Sequence, residues 1–296
     1  MTAVISIDNL KKSFVQKPVL KGLSLTVPEQ SVYAFLGNNG AGKSTTIRIL
    51  AGLLAFEEGD VSILGNTLNR FKPSYKYQVG CLIDSPVLYE HLTPNEFLSI
   101  AQRLKNLPKS AIEQALRTVD MSGFANDKIA HFSLGMKQRI ALANALLGEP
   151  KLLLLDEPSN GLDPQGMSDI RALIKSLPES MGATIFLSSH LLDEVEKTAT
   201  HLAIIEQGQT KFQGCLNSVL KDEGALNVVC DDIEKAHQLL HRYGFKSTKV
   251  DSVSLQVSKI KQSDCIALHN QLVHAGVGIV SSHYSKPTLE QFFDAS

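Results

Sequence analysis

Apolar and polar residues alternate over Val4-Ile5-Ser6-Ile7 and again over Leu23-Ser24-Leu25-Thr26-Val27. This is the period-two signature of half-buried strands, and Lys17-Pro18 predicts a turn between them. Residues 31–36 form a short apolar run, expected to be a buried strand, that ends in a glycine-rich turn. Over 45–53 the period lengthens, with Ile47, Leu50, Ala51 and Leu54 on one helical face. Helical spacing returns at 94–107, 109–119 and 137–147. The stretch between expected strands at 79–83 and 151–155 is therefore mostly helical, an insertion into an α/β sheet. Leu152 to Leu155 and Thr184 to Leu187 are apolar throughout, as in parallel strands covered on both faces. Ala203-Ile204-Ile205-Glu206, followed by Gln207-Gly208, predicts a further strand entering a hairpin.

After Gly214 the rhythm changes. Strand at 225–230, helix at 233–243, strands at 247–250 and 254–257, helix at 264–274 and strand at 278–282 follow one another. That β-α-β-β-α-β order is the ferredoxin-like pattern. The expected fold class is α/β over 1–220, with a helical subdomain at about 86–150, and a small α+β domain over 221–296. A chain of 296 residues has room for one large core and such an appendage.

Charge and cysteine usage narrow the class. Twenty-nine basic residues nearly balance thirty acidic ones, a net charge of −1, so no broad positive field points to nucleic acid or anionic lipid. Cys81, Cys215, Cys230 and Cys265 lie far apart without metal-ligand spacing and are expected to be reduced, mostly packed thiols. Residues 1–14 lack an apolar secretory core. No window approaches the ~18 uninterrupted apolar residues of a membrane helix, so a soluble chain is expected.

The strongest chemical signal is Gly37-Asn38-Asn39-Gly40-Ala41-Gly42-Lys43-Ser44, a complete GxxxxGK[ST] phosphate loop between strand and helix. Its glycines let backbone N–H groups curl around phosphate oxygens, and the helix that follows, through Ser44 and Thr45, adds its positive end. Lys43 is suited to the β- and γ-phosphates, and the Ser44 hydroxyl to Mg²⁺. The apolar run Leu152 to Leu155 ends in Asp156-Glu157. Asp156 is placed to orient the metal's ligands, and Glu157 to take a proton from the attacking water. The implied ligands are ATP and Mg²⁺.

With those motifs in place, the chain resembles the ABC transporter ATPases over residues 1 to about 214. Phe132-Ser133-Leu134-Gly135-Met136-Lys137-Gln138-Arg139 stands where that family carries its LSGGQ signature. The resemblance implies that Ser133 and Gly135 contact the γ-phosphate held by a partner subunit, with Ser133 capping the helix over 137–147. Asn160-Gly161-Leu162-Asp163 is similar to the family's D-loop, which crosses the dimer interface. Ser188-Ser189-His190 ends a strand where the family has its switch histidine, and Phe14 stands where it places an aromatic ring against adenine. The fold the resemblance implies is a P-loop cassette with a mostly parallel core, an antiparallel β subdomain and a helical insertion.

Two departures are informative. Leu134 replaces a glycine and Met136 the glutamine of the signature, and Asp84 stands where the Q-loop glutamine is expected. An acidic residue there, with the SLGM phrase, is similar to the ATPases of bacitracin and lantibiotic exporters. Asp84 is accordingly a candidate metal ligand, against the plainer reading that Asp84-Ser85-Pro86 forms an Asx-turn. The resemblance implies a homo- or heterodimer with a second ATPase subunit, a separate integral membrane permease, and a location at the cytoplasmic face of the membrane. A soluble ABC ATPase acting on ribosomes or DNA is the alternative. One cassette, no heptad tract and a near-neutral charge weigh against it. A P-loop kinase or GTPase leaves the signature, Asp163 and His190 unexplained together.

Overall fold

The computed structural model describes residues 3–15, 17–68, 78–83, 88–220, 223–286 and 288–290. The chain divides into two compact units, Met1–Cys215 and Leu216–Ser296. The division falls between Cys215 and Leu216, where the sequence reading sets it at 220/221.

In the first unit, β1 (Ala3–Phe14) and β2 (Lys17–Pro28) pair antiparallel. Lys17 and Pro18 lie within β2 rather than in the turn expected from the sequence. β3 (Val32–Leu36) runs into the phosphate loop and α1 (Lys43–Leu50). β4 (Glu58–Ile63) and β5 (Asn66–Thr67) complete an antiparallel sheet of order β2-β1-β4-β5. After β6 (Val79–Leu82) come α2 (Pro94–Leu104), α3 (Ser110–Thr118) and α4 (Leu134–Leu146), the helical insertion. Helix α2 opens with a full capping box: Thr93 Oγ1 accepts from the Glu96 N–H, and Glu96 accepts from the Thr93 N–H. That Thr93 N–H, with Lys128 beside it, holds the Glu96 carboxyl below its ordinary range.

The chain then returns to the main sheet with β7 (Leu152–Asp156), α5 (Pro164–Met181), β8 (Thr184–Ser189), α6 (Leu192–Thr198), β9 (His201–Glu206) and β10 (Gln209–Cys215). Its order is β10-β9-β3-β8-β7-β6. Every pair is parallel except the β9–β10 hairpin. β3, β7 and β8 are buried along their whole length, as the unbroken apolar runs predict. A core joins the two sheets of this unit through Tyr33, Phe35, Ile47, Leu154 and Phe186. Gly80 fixes how closely α4 approaches this sheet, since a Cβ there would lie 2.1 Å from the Ala145 carbonyl oxygen.

The second unit contains α7 (Leu216–Val219), β11 (Glu223–Cys230), α8 (Ile233–Arg242), β12 (Lys246–Lys249), β13 (Ser254–Lys261), α9 (Cys265–His274) and β14 (Ile279–Ser285). Its sheet order β12-β13-β11-β14 is antiparallel throughout, the arrangement that the β-α-β-β-α-β reading implies. Leu226, Val228, Leu240, Leu255, Val257 and Leu268 build its own core. Of the cysteines, Cys230 and Cys265 are packed as expected, whereas Cys81 and Cys215 are exposed. Among the described residues no helix is long and apolar enough to cross a membrane.

Candidate functional site: two separate clefts

The C-terminal ends of β3, β7 and β8 meet at one edge of the main sheet, the position at which open α/β sheets bind ligands. From β3 the chain turns through the phosphate loop. Gly40 and Gly42 adopt left-handed φ values of 83° and 114°, conformations that glycine takes without a Cβ penalty. A Cβ on Gly37 would sit 2.4 Å from the Ile205 carbonyl oxygen, so the loop's close seat on β9 requires glycine. The Ala41 N–H donates to the Asn38 carbonyl (3.1 Å), closing the turn. Lys43, almost fully buried, donates to the Gly37 carbonyl oxygen at 2.6 Å.

Strand β7 delivers Asp156 and Glu157. Asp156 is buried, and the Ser188 hydroxyl of β8 donates to its Oδ1 at 2.6 Å. The same hydroxyl accepts from the Glu157 N–H at 2.9 Å. Glu157 itself has φ 49°, a left-handed conformation that costs a non-glycine residue about 1–3 kcal/mol and persists where surroundings enforce it. Its two carboxylate oxygens face different groups. Oε1 lies 3.6 Å from Lys43 Nζ, and Oε2 lies 2.8 Å from His190 Nδ1.

Of these groups Lys43, Glu157 and His190 line an open cleft of about 510 Å³, while Asp156 and Ser188 are not among its lining residues. Phe14, Asn39, Gly40, Gly42, Lys43, Ser44, Thr45, Glu157 and His190 all border it, so most of the sequence-derived nucleotide set converges there. Gly37, Asn38 and Ala41 complete the loop behind it. Phe14 is half exposed, and Lys12 Nζ lies 5.3 Å from its ring centroid. The ring is thus a presented face rather than core packing, and the Lys12 side chain beside it is largely covered.

Ser133, Gly135 and Asp163 lie elsewhere. They border a second cleft of about 580 Å³, and among the described residues none lines both. Ser133 caps α4, its hydroxyl accepting from the Met136 N–H at 3.3 Å. The helix therefore starts at Leu134, three residues before the expected start, because the cap fixes its first turn. Asp163 caps α5 in the same way, accepting from the Gly166 N–H at 3.1 Å, with Pro164 in the first turn. Gly135 is open: a methyl at its Cα would meet nothing nearer than the Ser133 hydroxyl at 4.0 Å. Asp84 lies outside the described residues.

Three polar groups beyond those singled out from the sequence hold the two clefts in shape. Ser188 joins Asp156 to Glu157, as above. The buried Gln138 amide of α4 donates to the Pro158 carbonyl at 2.7 Å. Arg139 donates to the Val119 carbonyl at 3.0 Å and to Asp169 of α5 at 2.7 Å. All three stand within sequence motifs, Ser188 opening Ser-Ser-His and the other two ending the signature phrase, but the roles of Gln138 and Arg139 depend on contacts 20 to 30 residues apart.

The residues fit a nucleoside triphosphate. Glycines are required where the loop lies closest, a buried lysine reaches into the cleft, and a half-exposed aromatic borders the same space. They also fit a metal held mainly by phosphate and water, because a single buried carboxylate and one hydroxyl suffice for Mg²⁺. Among the described residues no cluster of three or more His, Cys, Asp or Glu groups forms a metal cage of its own.

Fold and cleft together define a P-loop nucleotide hydrolase with a helical insertion. Residues 20–160 match the ABC transporter family. The chain is 33% identical to the bacitracin transport ATP-binding protein BcrA of Bacillus licheniformis, over 99% of this chain and 97% of that protein. It is 37% identical to the lantibiotic transport ATP-binding protein SrtF of Streptococcus pyogenes, over 70% of this chain and 88% of that one. A solved structure described as an ATP-binding subunit of an ABC transporter superposes with a TM-score of 0.65 at 32% identity, covering 73% of this chain and 91% of that chain. The chain belongs to the ABC transporter family, as an ATP-binding, ATP-hydrolysing subunit.

Proposed function

We propose that this chain powers export of peptide antibiotics or related amphipathic drugs, as one half of an ATPase dimer attached to a separate membrane permease. The observation that carries the reading is the separation of the two clefts. A phosphate site on one face and a signature surface on another become a single site only when two chains meet. In the dimer, ATP on the Lys43 side of one subunit is covered by Ser133, Gly135 and Asp163 of the other. ATP binding closes the pair, and hydrolysis opens it.

Within each site Lys43 leaves the Gly37 carbonyl and Glu157 for the β- and γ-phosphates, while Phe14 packs on adenine. Ser44 and Asp156 would hold Mg²⁺, Asp156 being kept in place by the Ser188 hydroxyl. The metal supplies neutralisation of charge between the β- and γ-phosphates. Glu157 accepts the proton of the attacking water, and His190, 2.8 Å from that carboxylate, holds it in line with the γ-phosphate. Asp84 is proposed to take the place of the Q-loop glutamine. Through its permease the subunit would sit at the cytoplasmic face of the membrane. No observation favours action on ribosomes or DNA.

The names of the relatives and the SLGM phrase support the choice of cargo class. It is tested by reconstituting the chain with a candidate permease in vesicles and titrating a bacitracin-type or lantibiotic-type peptide. Stimulated ATP hydrolysis is the expected result. A rate indifferent to every such peptide, with ATP turnover otherwise intact, contradicts the proposed cargo.

A further inference from the structure

Helix α5 borders the signature cleft and, further along, a small cavity that Glu157 and His190 also border. At its start Asp163 borders the signature cleft, and two turns on Asp169 receives Arg139 of α4. Between those contacts and the middle of the helix lies Arg171, which reaches the other way. Its guanidinium forks onto Glu194 of α6, Nε to Oε2 at 3.1 Å and Nη2 to Oε1. Both side chains are largely covered, at 20% and 16% exposure. A two-point fork of this kind fixes orientation as well as distance.

What the fork fixes is the segment bearing His190. Helix α6 has seven residues and no side-chain cap at its start. A helix so short does not stand by itself and takes its position from tertiary contacts. Its Val195 and Thr198 are buried, and Glu194, four residues beyond His190, ties it to α5. A small cavity of about 30 Å³ lies between them, bordered by Arg171, Glu194, His190 and Glu157. His190 and the Arg171–Glu194 fork thus face the same space, next to Glu157.

We propose that Arg171 and Glu194 are a positioning pair for hydrolysis: they set His190 against Glu157 and make that placement depend on α5, and thus on the signature cleft. This deepens the reading of Glu157 as base and His190 as its aligning partner, and it rests on that reading. Neither member of the pair touches nucleotide. Their effect is on the rate of the chemical step, because a displacement of about 1 Å at a reacting group costs roughly 100-fold.

The test measures single-turnover ATP hydrolysis and ATP affinity of the full chain carrying Arg171→Ala or Glu194→Ala. Hydrolysis is expected to fall roughly 10- to 100-fold, with ATP affinity within about threefold of wild type. The exchanged pair Arg171→Glu with Glu194→Arg should recover at least part of that loss. In a His190→Ala background, Arg171→Ala should change the rate by less than about threefold, since the group it positions is gone. If the alanine variants do not fold, Arg171→Lys and Glu194→Gln carry the same test, losing the fork but keeping most of the volume. A rate within about twofold of wild type for Arg171→Ala overturns the proposal, as does an equal loss with and without His190, or a loss confined to affinity. Glu157→Gln separates the two layers. If that variant still turns over ATP, the base assignment fails; if it is inactive while Arg171→Ala hydrolyses ATP within about twofold of the wild-type rate, only the positioning pair fails.

Discussion

The two clefts of the first unit are built differently. In the Lys43 cleft every charged group named above is already engaged by another: Lys43 by Gly37 and Glu157, Glu157 by His190, Asp156 by Ser188. The glycines there have no room for a methyl, or a φ that disfavours one. In the signature cleft Ser133 caps α4 and Asp163 caps α5, Arg139 bridges the two helices through Asp169, and Gly135 faces open space. One cleft is machinery whose geometry the single chain enforces. The other also holds Gly161, left-handed at φ 78°, and Gly166, whose Cβ would lie 2.8 Å from Asp163 Oδ1, but at Gly135 nothing in the chain excludes a methyl. In the proposed dimer, that open position is where the second chain's nucleotide would approach.

Substitutions put this contrast to the test. The largest effect is expected for Glu157→Gln, which keeps the side chain's shape but loses the proposed base. Hydrolysis should fall by about 10² to 10⁴ while Mg-ATP binding persists, read by phosphate release beside nucleotide titration. Next come the glycines, compared as a pair. Gly37→Ala forces a methyl against the Ile205 backbone carbonyl and should cost about 1–3 kcal/mol of stability, visible in denaturant unfolding. Gly135→Ala should leave stability within about 0.5 kcal/mol yet lower ATP turnover. If both lose stability alike, the contrast between the clefts is wrong. The smallest effect is expected for Arg139→Ala, which removes the contacts to Asp169 and the Val119 carbonyl. A loss of about 1 kcal/mol in unfolding free energy and a few-fold drop in turnover should follow.

Much of the Lys43 cleft is legible in the sequence because its parts are local. The phosphate loop, Asp156-Glu157 and Ser188-Ser189-His190 each occupy consecutive residues, and apolar strands place them at one sheet edge. The elements that sequence patterning leaves unmarked are those whose partners are distant or whose apolar face is thin. Helix α5 buries only Ile170, Ile174 and Leu177, and carries Pro178 inside it. Its ends nevertheless carry signals, Asp163-Pro164 at the start and Gly182, left-handed at φ 66°, at the close. Strand β4 reads as polar because just Val61 and Ile63 are buried, and pairing with β1 rather than apolar alternation defines it, down to the Lys11–Glu58 ion pair. Helix α6 is hidden for the same reason as α5. Its anchor, Arg171, lies 23 residues away, and no local pattern announces it.

The claim that the clefts are halves of one site is tested most directly by measuring molecular mass in solution. The full chain carrying Glu157→Gln should shift from one-chain to two-chain mass when Mg-ATP is added, alone or mixed with a partner ATPase, because bound nucleotide is not consumed. Adding Gly135→Arg to that variant should abolish the shift while leaving ATP binding intact, since the arginine occupies the surface the second chain's nucleotide must reach. Persistence of the one-chain mass with saturating Mg-ATP, with and without any partner ATPase, would contradict the account.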